Sequence, residues 1–403
     1  MNSALEFRDV DILFCAKSGR RAATLTQQAL TALDAGSSRA QIADQTGVVV
    51  GVAGANLSVE RGEISVLMGL SGSGKSTLLR AANGITPVTR GQVLVNDGEN
   101  VVDIARCDSS TLRRIRRLRI AMVFQQFGLL PWRSVRDNVG FGLELRGDPP
   151  ATRKRIIDEQ LALVGLSQWS ERFVAELSGG MQQRVGLARA FATDADVLLM
   201  DEPFSALDPL IRRKLQDELL ALQERVKKTI LFVSHDLDEA LKLGDRISIL
   251  EGGRIVQTGT AEDIVVRPAN PYVAEFVTHM NPLSVLTGDM IMRRCSDMVR
   301  ADRAIWLDEE RRYQLFVDEH DGPRSLKIDG TEHALGHVGE GEVWSGNPPG
   351  MAVTAASSSL SAIIKLRSAT GHPVLLVDEG RMTGVCDELE IIRALAGERR
   401  GAM

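Results

Sequence analysis

A glycine-rich segment has the residue types and spacing that bind phosphate. It runs from Gly69 to Thr77, after the apolar run ISVLM and before TLLRAANG, which is typical of a helix. Strand, loop and helix in this order direct backbone N–H groups and the positive end of a helix at an anion. Lys75 is suited to bridge the β- and γ-phosphates of a nucleotide, and the Ser76 hydroxyl to coordinate Mg²⁺. The residues expected to bind the nucleotide here are Gly69, Ser71, Gly72, Ser73, Gly74, Lys75, Ser76 and Thr77.

A pair of carboxylates follows another apolar run. In VLLMDE, four apolar residues precede Asp201 and Glu202, so both acids are expected where a buried strand emerges at its carboxyl end. Asp201 is suited to hold Mg²⁺ and Glu202 to polarise an attacking water. Without the phosphate loop, the same pattern would indicate only a strand that leaves the core. With the loop, it predicts hydrolysis of a nucleoside triphosphate.

A second anion site is expected between these motifs. Ser178, Gly179 and Gly180 lie at the start of the helical run QQRVGLARAFA, whose first residue is Gln182. A helix start with bare amides attracts a phosphate. Since the chain already has one phosphate loop, this second site is expected to act on the ATP of a second copy. The sequence therefore predicts that the chain is half of a homodimer.

The elements that must position these residues alternate along the chain. The strand-like runs ISVLMG, IAMVFQ, VLLMDE, TILFVSH and RISILEGG are separated by helical stretches, a pattern expected of parallel strands covered by helices. This is an α/β nucleotide-binding layout. Residues 16–47 interrupt it, because ATLTQQALTALDAG and SSRAQIADQTG each predict a short helix closed by a glycine.

A domain boundary is expected near residue 281, where NPYVAEFVTHMNP closes a helix between two prolines. The net charge of −5 lies entirely beyond this point, because residues 281–403 hold 14 basic and 19 acidic residues. Near the end of the chain, PVLLVDE, RMTGVC and DELEIIRALAG predict strand, strand and helix, with Asp387 as the N-cap of that helix. The tail is expected to be a small α+β domain.

Composition excludes several classes of protein. With 44% hydrophobic and 25% charged residues, the chain is neither disordered nor collagenous. Its four cysteines are Cys15, Cys107, Cys295 and Cys386, which lie far apart and favour a reducing cytosol over a disulfide framework or a zinc site. No run is apolar and long enough to span a membrane. The basic run at 113–119 favours a solvated helix face over a nucleic-acid site, since no aromatic residue interleaves it.

The string LSGGMQQR is the signature of ATP-binding cassette (ABC) ATPases, and residues 1–280 resemble the ATPase subunit of a bacterial ABC importer. The resemblance implies a RecA-like core with an antiparallel β subdomain and a helical subdomain. It implies that Gln125 contacts Mg²⁺ and couples to the permease, that Ser205-Ala-Leu-Asp208 crosses the dimer interface, and that His235 contacts the γ-phosphate. A lone histidine at a strand end is otherwise most often a core residue.

The same family stacks adenine on an aromatic residue at the end of its first strand. Phe14 is the last aromatic residue before the phosphate loop, because residues 16–74 contain none. If the helical insertion at 16–47 is looped out, Phe14 falls in the stacking position. The alternative is that Phe14 is a core residue.

Longer strings, among them MGLSGSGKSTLLRAANG and LLMDEPFSALDPLIRRKLQDEL, resemble the ATPases of quaternary-amine importers for choline, glycine betaine or proline betaine, most closely the choline branch. This resemblance implies integral membrane permease subunits, a substrate-binding protein that acts indirectly, and a peripheral position on the cytoplasmic face of the cell membrane. It also implies that residues 281–403 form a regulatory domain related to a pair of CBS modules. The alternatives are an importer ATPase for another solute and a soluble ABC ATPase that remodels nucleic acid.

Overall fold

We describe a computed structural model that covers residues 3–98, 100–125, 128–205, 207–278, 283, 286–301, 303–339, 344 and 350–396. The chain divides into two compact units. The first comprises residues 1–264 and 269–273, and the second comprises residues 265–268 and 274–403. The boundary expected near residue 281 lies outside the described residues, as does Ala206.

The strands of the first unit form two sheets. They are β1 (Ser3–Cys15), β2 (Val48–Glu60), β3 (Ile64–Met68), β4 (Arg90–Asn96), β5 (Val101–Asp103), β6 (Ile120–Val123), β7 (Val197–Asp201), β8 (Thr229–Val233), β9 (Arg246–Glu251) and β10 (Arg254–Gly259). Within the described part of the chain, β10-β9-β3-β8-β7-β6 form one six-stranded sheet. The five runs predicted as strands are β3 and β6 to β9, and they pair in parallel as predicted. The sequence did not indicate β10, which adds an antiparallel edge.

The other sheet of this unit is antiparallel, with the order β2-β1-β4-β5. Its apolar side chains and those of the parallel sheet share one hydrophobic cluster, to which Phe7 of β1, Leu67 of β3 and Leu231 of β8 contribute. Burial of this surface brings the start of β2, at Gly51, next to the loop that follows the carboxyl end of β3.

The helices of the first unit are α1 (Gly19–Asp34), α2 (Arg39–Thr46), α3 (Lys75–Ala81), α4 (Ser109–Leu118), α5 (Val135–Arg146), α6 (Pro150–Leu163), α7 (Gly179–Ala192), α8 (Pro209–Val226) and α9 (Leu237–Leu243). Short 3-10 turns occupy Ser167–Trp169 and Val174–Glu176. Helices α5, α6 and α7 have a core of their own, which includes Val139, Leu161 and Val185. The division between the units runs through α10 (Ala261–Val266) and α11 (Pro271–Thr278).

Helices α1 and α2 occupy the interruption between β1 and β2. α1 begins at Gly19, earlier than the sequence indicated, and its C-cap is Ala35 rather than a glycine, whereas Gly47 closes α2 in the left-handed region at φ +67°. A small apolar cluster that includes Leu33 and Ile42 packs both helices on the strands. Arg90 of β4 also pairs with Asp34 at 2.7 Å. These contacts hold both helices against the strands.

The basic run at 113–119 lies mostly on α4. Arg114 pairs with Asp97 at 2.9 Å, and Arg119 pairs with Asp196 at 2.6 Å. Arg116 Nε donates to the Asn83 carbonyl at 2.7 Å. Several of these arginines therefore bind partners within the unit, whereas the sequence indicated only a solvated face.

The second unit also contains two sheets. Its strands are β11 (Arg293–Arg294), β12 (Val299–Ala301), β13 (Ala304–Trp306), β14 (Tyr313–Val317), β15 (Pro323–Ile328), β16 (Thr331–His333), β17 (Leu335–His337), β18 (Met351–Ala355), β19 (Val374–Asp378) and β20 (Arg381–Cys386). Its helices are α12 (Gly288–Ile291), α13 (Leu360–Thr370) and α14 (Glu388–Leu395), with a 3-10 turn at Cys295–Asp297. Strands β12 to β16 form an antiparallel meander, and β11-β20-β19-β18-β17 form a mixed sheet.

The end of the chain folds as the sequence indicates, with β19, β20 and α14 in succession. The backbone N–H of Asp387, the N-cap of α14, donates to Glu390 at 3.0 Å. The two sheets share a core that includes Leu315 and Leu326 of the meander and Val353 and Leu375 of the mixed sheet. The sequence did not indicate the meander.

Candidate active site

The phosphate loop connects β3 to α3, and two of its glycines are required by close packing. A Cβ atom on Gly69, whose φ is +142°, would lie 2.2 Å from the Leu250 carbonyl oxygen. A Cβ atom on Gly74, whose φ is +104°, would lie 2.5 Å from the Gly51 carbonyl oxygen. Any side chain at either position would displace backbone, so the loop curls tightly only because both residues are glycine.

Lys75 begins α3 and turns its side chain back into the loop. Its Nζ donates to the carbonyl oxygens of Gly69 at 2.9 Å and Leu70 at 3.0 Å. Burial lowers the pKa of Lys75, while the charges of Glu202 and Asp201 act in the opposite direction. A buried ammonium held by carbonyl dipoles and two nearby carboxylates is preorganised for a phosphate.

Asp201 ends β7 and is fully buried. One of its oxygens accepts from Ser76 Oγ at 2.7 Å, and the other accepts from Arg80 Nε at 3.1 Å and Nη2 at 2.8 Å. A serine hydroxyl and a carboxylate are hard oxygen ligands of the type Mg²⁺ prefers. The side chains gathered here therefore fit this cation.

The side chain of Glu202 lies close to two other residues singled out in the sequence, Gln125 and His235. Its Oε2 accepts from Gln125 Nε2 at 3.1 Å and lies 3.3 Å from His235 Nδ1. Gln125, Glu202 and His235 follow β6, β7 and β8, which are neighbours in the sheet. The His235 side chain is 61% exposed, which is inconsistent with a core histidine.

The backbone of Glu202 is held in the left-handed region, with φ +49°. Its N–H donates to the Val233 carbonyl at 3.1 Å, and its own carbonyl accepts from Ser205 Oγ at 3.0 Å and Gln183 Nε2 at 3.3 Å. A non-glycine residue keeps this conformation only when its surroundings hold it there. Hydrogen bonds on both sides of Glu202 thus fix the direction in which its side chain leaves the strand.

The loop that carries His235 is held by hydrogen bonds to the buried Glu239. Ser234 Oγ donates to Glu239 Oε2 at 2.6 Å, and Gln216 Nε2 of α8 donates to the other oxygen of Glu239 at 2.9 Å. Burial raises the pKa of Glu239. The loop between β8 and α9 is therefore fixed next to Glu202 by a buried polar network.

Ser178 is the N-cap of α7 and accepts from the Met181 N–H at 3.4 Å. Gly179 and Gly180 form the first turn, and Gln182 Nε2 donates to the Leu177 carbonyl at 3.1 Å. Asp208 caps α8 by accepting from the Ile211 N–H at 3.1 Å. The hydrogen bonds described for Ser178, Gln182 and Asp208 stay within their own helix starts and do not join them to the phosphate loop.

Phe14 lies near the end of β1, opposite Val49 of β2. Its side chain is 43% exposed, so it is not a core residue. A Cβ atom on Gly51 would lie 2.7 Å from Phe14 Cε2, and the Gly51 carbonyl touches Gly74 as described above. Phe14 and the phosphate loop therefore contact the same glycine.

Sequence reasoning missed three polar groups at this site. Arg80 lies one helical turn after Ser76, and that i, i+4 spacing is a signal that could have placed both on one face of α3. Gln183 is adjacent to Gln182 in the signature. Arg39 of the inserted helix α2 donates from Nη1 to the Gly72 carbonyl at 3.4 Å, a contact that no local pattern indicates.

Comparisons with known proteins show the family of the chain. Residues 52–205 match the family model of the ABC transporter. The glycine betaine/proline betaine transport system ATP-binding protein ProV of Salmonella typhimurium is 41% identical over 92% of this chain and 94% of its own length. The glycine betaine transport ATP-binding protein OpuAA of Bacillus subtilis is 41% identical over 92% of this chain and 89% of its own length. A dimeric ATP-binding cassette solved in a post-hydrolysis state with ADP and Pi is 28% identical, with a TM-score of 0.53, and covers 64% of this chain and 98% of its own.

The fold and the site define an ABC ATPase, which binds and hydrolyses ATP. The chain belongs to the ATP-binding subunits of the glycine betaine, proline betaine and osmoprotectant import family of ABC transporters. Among the described residues, no helix combines the length and apolar character needed to cross a bilayer.

Proposed function

We propose that two copies of the chain hydrolyse ATP at two shared sites and thereby drive uptake of a quaternary amine through a separate membrane permease. The observation that carries the catalytic part is the arrangement around Glu202, whose Oε2 lies within hydrogen-bond reach of both Gln125 and His235. A carboxylate at a strand end, with its backbone fixed and its oxygens facing an amide and an imidazole, is suited to orient a water and accept its proton.

Each residue of the site then has a defined role. The loop N–H groups and Lys75 hold the β- and γ-phosphates, and Ser76, Gln125 and Asp201 would hold Mg²⁺. When bound, Mg²⁺ neutralises charge on the phosphate oxygens. Glu202 takes the proton of the attacking water, and His235 donates a hydrogen bond to the γ-phosphate as charge develops on it.

Ser178, Gly179 and Gly180 are proposed to face the ATP of the partner copy, with Gln182 and Asp208 beside the same interface. The amides at the start of α7 are suited to bind a phosphate. The hydrogen bonds described there do not connect the start of α7 to the phosphate loop of the same chain. The structural relative that is a dimer supports an assembly of two copies.

Phe14 is proposed to stack on adenine. Its exposure and its contact with Gly51, which in turn touches Gly74, support a place at the edge of the nucleotide site. An aromatic pair contributes on the order of 0.5–1.5 kcal/mol beyond area burial.

Phe14→Ala is therefore expected to weaken ATP binding by up to about tenfold, with kcat nearly unchanged, because stacking stabilises bound substrate and transition state alike. Titration with ATP and a steady-state assay on the same preparation measure both effects. Phe14→Tyr, which keeps the ring, is the matched control and is expected to bind normally. A lower melting temperature with unchanged ATP affinity would contradict the stacking role.

The permease is proposed to dock on the segment after Gln125. Trp132 there is 71% exposed, so a large apolar side chain is accessible to a partner. This segment resembles the groove that receives the coupling helix of a permease, and on that resemblance the chain is proposed to lie at the cytoplasmic face of the cell membrane. A substrate-binding protein acts on the permease and not on this chain.

Residues 1–280 are proposed to form the ABC domain. The C-terminal unit that follows is proposed to be a regulatory domain related to CBS modules. The order β18, α13, β19, β20 and α14 supports one such module. The antiparallel meander that precedes it departs from a simple pair of modules.

The transported solute is proposed to be choline or glycine betaine. The relatives named for glycine betaine support a quaternary amine. Another relative, the trimethylamine N-oxide transport system ATP-binding protein TmoW of Ruegeria pomeroyi, supports a methylated amine more generally. It is 48% identical over 61% of this chain and 72% of its own length.

Reconstitution tests the solute directly. With the chain and its permease in proteoliposomes, choline or glycine betaine delivered by the binding protein is expected to raise ATP hydrolysis several-fold. Trimethylamine N-oxide tests the wider class of methylated amines, and sulfate serves as the control solute. Stimulation by sulfate with none by the amines would contradict the proposed substrate class.

A further inference from the structure

Tyr272 contacts the phosphate loop from a distant part of the sequence. It lies in the first turn of α11, and its hydroxyl accepts the Leu70 N–H at 3.1 Å and donates to the Leu250 carbonyl at 3.4 Å. Leu250 is the β9 residue whose carbonyl packs against Gly69. One phenol hydroxyl thus joins the start of the phosphate loop to the end of the neighbouring strand.

The peptide group that Tyr272 contacts also holds Lys75. The Leu70 N–H and the Gly69 carbonyl belong to the same planar peptide unit, and Lys75 Nζ donates to that carbonyl at 2.9 Å. Because a peptide unit is rigid, fixing the direction of its N–H also fixes the direction of its C=O. The Tyr272 hydroxyl therefore orients the carbonyl that receives the Lys75 ammonium.

This peptide has few other means of orientation. Gly69 lacks a side chain and adopts φ +142°, a conformation with little intrinsic preference to hold it. The Leu70 side chain is 61% exposed and packs little. The Leu70 carbonyl is fixed on the far side, since it accepts from the Ser73 N–H at 3.1 Å.

Tyr272 is itself held in place by its own segment. Asn270 Oδ1 accepts the Val273 N–H at 2.9 Å, and Val273 is fully buried. The Ala269 N–H donates to Gln257 Oε1 of β10 at 2.7 Å. The start of α11 is thus anchored to the same unit as the phosphate loop.

We propose that Tyr272 is a positioning residue of the ATP site: its hydroxyl fixes the Gly69–Leu70 peptide and, through it, the Lys75 ammonium. The proposal rests on the assignment of Lys75 to the nucleotide phosphates. It assigns a function in nucleotide binding to a residue well beyond the part of the chain that matches the ABC transporter model.

Tyr272→Phe in the full chain removes only the hydroxyl. Loss of one hydrogen bond is expected to raise the KM for ATP by about two- to tenfold, with a smaller change in kcat, because the loop binds ATP and transition state alike. Hydrogen exchange of the Leu70 amide is expected to become faster. The sequence has two tyrosines, so Tyr313→Phe, which removes a hydroxyl of the second unit 3.3 Å from His372 Nδ1, is the matched control.

Unchanged ATP affinity and unchanged Leu70 exchange in Tyr272→Phe would overturn the proposal, as would equal shifts of both in Tyr313→Phe. Lys75→Ala separates this outcome from failure of the site assignment. If Lys75→Ala no longer binds ATP and Tyr272→Phe has no effect, only the positioning role of Tyr272 is excluded. If Lys75→Ala binds ATP as well as the native chain, the phosphate-loop assignment itself is wrong.

Discussion

Glu202→Gln is expected to lower kcat by about a hundredfold or more while ATP binding persists. The amide keeps the size of the side chain and a hydrogen-bonding oxygen, but it cannot accept the proton of the attacking water. The residues proposed to bind phosphate and Mg²⁺ are left in place, so the ground-state complex survives. The trapped ATP is expected to hold two copies together as a stable dimer.

A steady-state assay and size-exclusion chromatography with ATP check the two parts of this prediction. Glu262→Gln, which neutralises an exposed carboxylate of α10, is the matched control for the loss of one negative charge. Near-native hydrolysis by Glu202→Gln would remove Glu202 from the role of base. Loss of ATP binding in this variant would mean that the substitution disturbs the neighbouring Asp201 site instead.

The sequence was sufficient for the parts of the fold that depend on local apolar runs. The strands β3, β7 and β8 are each five residues long and buried at every position. A strand buried on both faces is written as a nearly continuous apolar run, which is easy to recognise in a sequence. Gln125, Glu202 and His235 follow β6, β7 and β8, which are neighbours in the sheet, so their carboxyl ends meet at one sheet edge. The buried run before Asp201 and Glu202 indicated the position of Glu202, whereas the roles of Gln125 and His235 were implied by the resemblance to ABC ATPases.

Other features depend on pairings that leave no local pattern. Strands of the meander such as β12, β13 and β16 are only three residues long, too short to establish an alternation of apolar and polar side chains. Tyr272 lies in a run that predicts only a helix, and its partner Leu70 is 202 positions away. Arg39 likewise contacts Gly72 only because the insertion folds back on β1 and β2.

The largest contrast is expected from dimers that combine two defects in different ways. Lys75→Ala removes the ammonium from the phosphate loop. Gly179→Asp places a carboxylate at the start of α7, where a Cβ atom meets nothing within 4 Å apart from its chain neighbours and the adjoining backbone of α7. The second change therefore leaves the fold of its own chain intact and repels the phosphates of whichever ATP lies against α7.

If each ATP lies between the phosphate loop of one copy and α7 of the other, the arrangement of the two changes decides activity. A dimer of one Lys75→Ala chain and one Gly179→Asp chain combines both defects in a single site and keeps the other intact. A dimer of a doubly substituted chain and a native chain has one defect in each site. The first dimer is expected to hydrolyse ATP at a measurable rate, and the second is expected to lose nearly all turnover.

Two different affinity tags allow each mixed dimer to be purified and assayed alone, with native and doubly substituted homodimers as references. If each chain instead binds ATP against its own α7, the order reverses, because the native chain of the second dimer then carries a complete site while both chains of the first are defective. The ranking of the two mixtures therefore decides between shared and separate sites without requiring an absolute rate. Equal and measurable activity in both mixtures would contradict the shared geometry, since a site formed without α7 of either copy is insensitive to how the two changes are distributed.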